Sequence, residues 1–279
     1  MAEFETYQAR ADEDRALLLA ATTSPFTISV RFVGGLSDTQ MAAFAAAAER
    51  WVKVIVGDLP DVRIDGEIVD DVLIMAEGRA IDGEGMVLGQ AGPTHLRPAG
   101  SGAAALIPAK GVMRFDTADL ARMEAAGTLG DVITHEMGHV LGIGTLWERK
   151  GLITGAGTAN PTFSGAGAIA EYRKLNGGTG NDEVPVENTG GPGTADGHWR
   201  ERTFGNELMT GFVRSADNPL SRLTVACLAD CGYEVDLDAA DDYALPTMGA
   251  VVALGTLPSR MAVLARTAPV VLPAESVEL

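Results

Sequence analysis

Apolar and polar positions alternate over FTISVRF (26–32), where β-branched and aromatic side chains dominate, and this period of two predicts a half-buried strand. The period then changes. After Ser37, DTQMAAFAAAAERWVKVIVG repeats its apolar residues at helical spacing, with Ser37 placed as N-cap and Gly57 near the end. Phe44, Trp51 and Ile55 recur on one side of this helix, the side expected to pack on a sheet. Strand patterns return at 71–78, 86–92 and 111–116, followed by a helix over 118–127. GDVITHEMGHVLGIG (130–144) reads as a helix with Asp131 near its start. Gly142 and Gly144 stop it, because glycine enters the left-handed region without steric cost.

Beyond this helix the pattern loosens. Residues 150–207 are dominated by Gly, Thr, Asn and Pro, with one helical interruption at 168–176. A long ordered loop region inside a compact domain usually serves function. The segment 221–236 is helical again and closes at Gly232. Residues 1–24 are charged, glycine-free and compatible with an arm or a helix. The expected organisation is α+β: an N-terminal arm (1–25), an α/β half (26–142), and an irregular half (143–279).

Composition narrows the partners. A formal charge of −17 disfavours nucleic acid and anionic membrane surfaces, and no basic cluster offsets it. The acidity serves solubility in the first place, and it offers oxygen ligands to hard cations. Asp70, Asp71, Asp82 and Glu84 are the candidates for Ca2+, although their spacing fits no calcium loop and solvated carboxylates are the default account. Cys227 and Cys231 stack on one helical face, which suits small buried residues better than a disulfide. The N-terminus lacks the basic and apolar regions of a signal peptide, and the apolar stretch 249–272 is broken by Pro258, Arg260 and Arg266. A soluble chain without a membrane span is expected, either cytoplasmic or exported by another route.

The chemistry centres on His135-Glu136-Met137-Gly138-His139. On a helix, His135 and His139 are one turn apart on the same face, so both imidazoles can reach one zinc ion. Glu136 lies about 100° around the helix from His135, beside the ion and not on it, where it can take a proton from attacking water. A catalytic zinc takes three protein ligands and leaves one position open. Spacing alone leaves the third ligand undecided. Glu171 would supply a carboxylate from a following helix, and His198 would supply an imidazole from the loop region. His95, which precedes the motif, reads as an exposed or substrate-side residue.

HEMGHVLGIGTLW resembles the metzincin pattern HExxHxxGxx, whose glycine ends the active-site helix and drops the chain below the metal. Most metzincins carry the third ligand three residues after that glycine, where this chain has Thr145. It is therefore similar to the leishmanolysin family, in which a long insertion precedes the third histidine. The resemblance implies His198 as that ligand, and NELMTG (206–211) resembles the family's Met-turn, with Met209 as an apolar floor. It further implies a metzincin-like fold, with a twisted mixed sheet and two long helices above a loop-rich lower subdomain. The cleft's edge strand would lie within 86–115, where an extended peptide could add as a strand. The implied activity is a zinc-dependent endopeptidase acting on peptides or proteins, with a zinc-stabilised binding module as the alternative. Trp147 and Trp199 flank the motif helix and the third ligand, and core packing accounts for them better than a wall around the site. The chain departs from familiar eukaryotic members in being nearly free of cysteine, so a thiolate latency switch is not expected.

Overall fold

The computed structural model describes residues 4–81, 83, 89–178, 183–212, 217–247, 263–264 and 268–278. In chain order the elements are β1 (Thr6–Arg10), α1 (Glu13–Ala20), β2 (Thr27–Gly34), α2 (Asp38–Val52), β3 (Val62–Ile64), β4 (Glu67–Val69) and β5 (Val72–Arg79). There follow β6 (Gly89–Leu96), β7 (Pro108–Asp116), α3 (Thr117–Ala126) and α4 (Leu129–Val140). The remainder holds β8 (Ile153–Thr154), β9 (Thr162–Phe163), α5 (Ala166–Leu175), β10 (Val184–Pro185), α6 (Glu201–Phe204), α7 (Arg222–Asp230), β11 (Val263–Leu264) and β12 (Val270–Val271).

The fold is α+β around one mixed sheet, with strand order β1-β2-β5-β7-β6-β11 and β12 also on β6. β2, β5 and β7 run parallel, whereas β1 and β6 are antiparallel to their neighbours β2 and β7. Strand β2 places Ile28, Val30 and Phe32 inward, as its alternation requires. Helix α2 begins with a complete capping box, in which Ser37 Oγ accepts from Gln40 N–H and the Gln40 side chain accepts from Ser37 N–H. Its buried Phe44, Ala47, Ala48 and Trp51 pack towards the sheet and α4. The Trp51 indole donates to the Thr134 carbonyl at 2.9 Å, which fixes α2 against the helix carrying the histidines.

Several boundaries differ from the sequence expectation, each for a physical reason. Residues 6–10 form a strand on β2, and the helix expected within 1–24 is confined to α1 (Glu13–Ala20). Helix α2 stops at Val52, because Val54, Ile55 and Val56 are fully buried and Ile55 bridges to Val235. The later helix closes where Gly232 predicts, with α7 ending at Asp230 and Gly232 turning the chain at φ 108°. Within the loop-rich region, β10-β9-β8 form a three-stranded sheet whose two-residue strands are too short to show a period.

The expected open edge at β6 is also different. β7 takes one side of β6, and β11 and β12 pair in parallel with the other at Gln90, Ala91, His95 and Leu96. Those positions are occupied by the chain's own later residues. Part of the strand expected over 86–92, most of the apolar stretch 249–272, and the calcium candidates Asp82 and Glu84 lie outside the described residues. Among the described residues, no helix is long and apolar enough to cross a membrane.

Candidate metal centre

Helix α4 is buried along nearly its whole length, including His135, Glu136 and His139. Gly138 lies between the histidines because a side chain has no room there. A Cβ at that position would stand 2.9 Å from Met209 Sδ and 3.0 Å from Trp51 Cζ2. The helix ends after Val140, and Gly142 (φ 115°) and Gly144 (φ 73°) turn the chain away. Its last carbonyls find partners. Thr145 Oγ1 donates to the His139 carbonyl at 2.7 Å, and the Tyr233 hydroxyl donates to that of Leu141 at 2.9 Å. Thr145 thus closes the helix and serves no metal.

Three imidazoles converge below the helix. The Nε2 atoms of His135, His139 and His198 lie 3.0, 2.9 and 3.2 Å apart in pairs. Each ring also places Nδ1 on a backbone carbonyl: His135 on Leu208 at 2.6 Å, His139 on Ile143 at 2.8 Å, and His198 on Thr194 at 2.9 Å. A carbonyl only accepts, so each Nδ1 carries the proton and each Nε2 is left with a bare lone pair. Burial pushes the ring pKa values down, to about 3 for His135, to about 4 for His198, and well below the usual range for His139. Repulsion from His198 lowers His135 and His139 further, while the carbonyl bonds oppose the shift. The rings therefore stay neutral.

Three neutral nitrogens facing one another have no proton to share, and a cation between them would relieve their lone-pair repulsion. This donor set fits zinc. Its bonds to imidazole nitrogen of about 2.0–2.1 Å set a tetrahedral edge of roughly 3.3 Å, close to the spacings here. Among the described residues, these three histidines form one group able to hold a metal ion, all three buried.

Glu136 completes the chemistry of the pocket. Its side chain is fully buried, and neither carboxylate oxygen has a hydrogen-bond partner. Oε1 stands 3.8 Å from His135 Nε2. Burial pushes its carboxyl up to about 8. A carboxyl desolvated in this way, beside a cluster of lone pairs, can exchange a proton near neutral pH.

The other candidates are placed elsewhere. Glu171 pairs with Lys174 at 2.6 Å and with Arg222 at 3.4 Å, away from the histidine group. Both its oxygens face cations, and it is not one of the three residues that converge on one point. His95 sits on β6, with its Nδ1 3.0 Å from Thr94 Oγ1. Trp147 and Trp199 are fully buried, 4.7 Å apart between ring centroids, in a cluster with Phe163 and Phe204. Cys227 and Cys231 are free and buried. Asp71, together with Asp58 and Asp70, brings its carboxylate oxygens within 4.8 Å of theirs. Its own oxygens, however, accept from the backbone N–H groups of Thr27 and Leu59, which accounts for its burial without calcium.

Sequence reasoning missed Glu207. This fully buried carboxylate lies two residues before Met209 and binds four donors. An acidic residue inside an apolar turn was the available signal.

The comparisons with known proteins agree with this geometry. Residues 103–246 match the model of the leishmanolysin family. The chain is 30% identical over 143 residues to leishmanolysin of Leishmania major, a match covering 48% of this chain and 23% of that protein. It is 46% identical over 59 residues to a leishmanolysin-like peptidase of Caenorhabditis elegans, covering 20% of this chain and 9% of that protein. The matched stretches thus span less than a quarter of either relative's length. With His135, His139 and His198, the turn at Met209 and α7 all inside the matched region, this chain belongs to the leishmanolysin family, a family of zinc metallopeptidases.

Proposed function

We propose that this chain is a zinc endopeptidase acting on peptide or protein substrates. The observation that carries the reading is the convergence of three buried, Nδ1-protonated imidazoles on one point. His135, His139 and His198 would hold the ion. Zinc bound there supplies Lewis acidity, which activates water and polarises a peptide carbonyl. Glu136 takes the proton from the attacking water and returns it to the leaving nitrogen. Its unpartnered oxygens are available for this transfer, and burial keeps its proton affinity in the working range. The histidines' carbonyl partners hold the rings in the tautomer that presents Nε2.

Residues 206–211 serve as a Met-turn in this reading, with buried Met209 packed against Gly138 beneath the site. The division into a sheet-bearing upper half (26–142) and a loop-rich lower half (143–279) places two ligands in the upper half and one in the lower.

The test is cleavage of casein or a peptide library by the purified chain, with and without a zinc chelator. Chelator-sensitive cleavage, restored by zinc, is the expected result. A chain that binds one zinc tightly and cleaves nothing across a broad library would instead be a zinc-stabilised binding module.

A further inference from the structure

The two ends of the metal site come from distant parts of the chain, and one carboxylate touches the supports of both. Glu207 Oε2 accepts from Met209 N–H at 2.6 Å. Glu207 Oε1 accepts from Ser221 N–H at 3.1 Å, from Ser221 Oγ at 2.7 Å, and from Thr224 Oγ1. The peptide between Glu207 and Met209 carries the Leu208 carbonyl that receives His135 Nδ1–H. On the other side, Thr224 Oγ1 accepts the indole N–H of Trp199 at 2.7 Å, and Trp199 is the residue after His198. The backbone adds a second tie, since Trp199 N–H donates to the Met209 carbonyl at 3.0 Å.

We propose that Glu207 is a positioning residue of the metal centre, which sets the Leu208 carbonyl against His135 and, through Thr224 and Trp199, fixes the loop segment that delivers His198. The proposal rests on the reading of the three histidines as a zinc site. Its physical basis is donor counting. All four groups on Glu207 donate, and two of them are backbone N–H groups that cannot reverse their role. Only a carboxylate offers acceptors in both directions. In an amide, one of the two oxygens becomes an NH2, which must face either Met209 N–H or Ser221 N–H. The turn must then shift, and the Leu208 carbonyl shifts with it.

Glu207→Gln keeps the side chain's size and removes only this balance. The measurement is zinc affinity of the metal-free protein, by competition with a chromophoric chelator below the unfolding temperature of every variant. The visible spectrum of the cobalt-substituted protein is recorded alongside. Asp230→Asn is the control, because Asp230 binds Gly167 and Ala168 N–H at the start of α5 and has no part in the network around the histidines.

Zinc affinity is expected to fall by roughly 10–100-fold in Glu207→Gln, with an altered cobalt spectrum, and to be unchanged in Asp230→Asn. Equal affinities and spectra in wild type and Glu207→Gln would overturn the proposal. So would an equal loss in both variants, which would mark a general effect of stability. Failure of the wild-type chain to bind one zinc would refute the metal-centre reading itself. If Glu207→Gln does not fold, Thr224→Val cuts only the branch to Trp199 and is expected to weaken zinc by a smaller factor. Unchanged affinity in that variant would also overturn the proposal.

Discussion

His139 and His198 are separated by 59 residues, yet their Nε2 atoms stand 2.9 Å apart, each ring held by a carbonyl on its far side. No residue between them is needed as a ligand, and Glu171 is held by Lys174 and Arg222. His198→Ala should therefore weaken zinc by more than the roughly 100-fold expected for an outer hydrogen-bond partner. Glu171→Ala should leave zinc affinity unchanged and cost about 1–3 kcal/mol of stability, since a buried carboxylate bonded to Lys174 and Arg222 is lost. Metal analysis after dialysis of both variants decides the matter. Zinc loss in Glu171→Ala with retention in His198→Ala would reverse the assignment.

Glu136 differs from the histidines in having no partner for either oxygen. A buried group that holds the fold together is ordinarily hydrogen-bonded, and the bare oxygens of Glu136 are what motivates testing it as the general base. Glu136→Gln should retain stoichiometric zinc and the wild-type unfolding temperature or better. Its turnover should fall by about 10²–10⁴-fold, the usual contribution of a general base. Steady-state peptidase kinetics on the zinc-loaded variant provide the check, and turnover near the wild-type rate would remove Glu136 from the mechanism.

The first two histidines, the glutamate and the helix stop were legible because they are local. Their relation depends on 3.6 residues per turn and on glycine's access to positive φ, and both can be read from a short window. The choice of His198 over Glu171 was not local. It depended on a family resemblance, and the structure gives its physical reason in the ion pairs that occupy Glu171. The strands β8, β9 and β10 and the strand β1 carry too little periodicity to stand out, and tertiary pairing defines them. The early end of α2 has a tertiary cause, the Ile55–Val235 bridge, which links segments 180 residues apart by subtraction of their numbers. The role of Glu207 could not be read from its acidic character beside Leu208 and Met209 alone, for the same reason. Its four partners come from two segments of chain that only the fold brings together.

Gly144 ties the helix stop to the third histidine. A Cβ there would lie 2.0 Å from the carbonyl oxygen of Gly197, the residue before His198, and φ is 73°. Gly144→Ala must therefore displace backbone next to His198, beyond the conformational cost of the left-handed region. Gly151→Ala is the matched comparison, with φ 66° and open space around the new methyl group. The comparison variant should lose about 1–2 kcal/mol, the ordinary left-handed cost. Gly144→Ala should lose a further 1–3 kcal/mol or so from overpacking, and bind zinc more weakly. Denaturant unfolding of both metal-free variants tests the difference, and equal losses would show that the Gly197 contact relaxes at no cost.

The metal-free protein should be acid-sensitive in a defined window. The buried histidines have folded pKa values below the ordinary 6.5, about 3 for His135 and about 4 for His198, with His139 also well below. Between these values and 6.5 the unfolded chain binds three protons that the folded chain does not, so stability falls as pH falls. Glu136 acts in the opposite sense. Its carboxyl is raised from 4.5 to about 8, so the folded chain holds one proton that the unfolded chain lacks between those values. Asp71, raised by burial to about 8, acts in the same sense as Glu136, so near pH 5–6 these five groups leave about one proton in favour of the unfolded state, or roughly 1.4 kcal/mol per pH unit. Unfolding temperature of the chelator-treated protein should drop from pH 7 to pH 5. Zinc should flatten the upper part of that profile, because a ligated Nε2 resists protonation. A metal-free profile that is level between pH 7 and 5 would mean that the three rings are not held neutral by the fold.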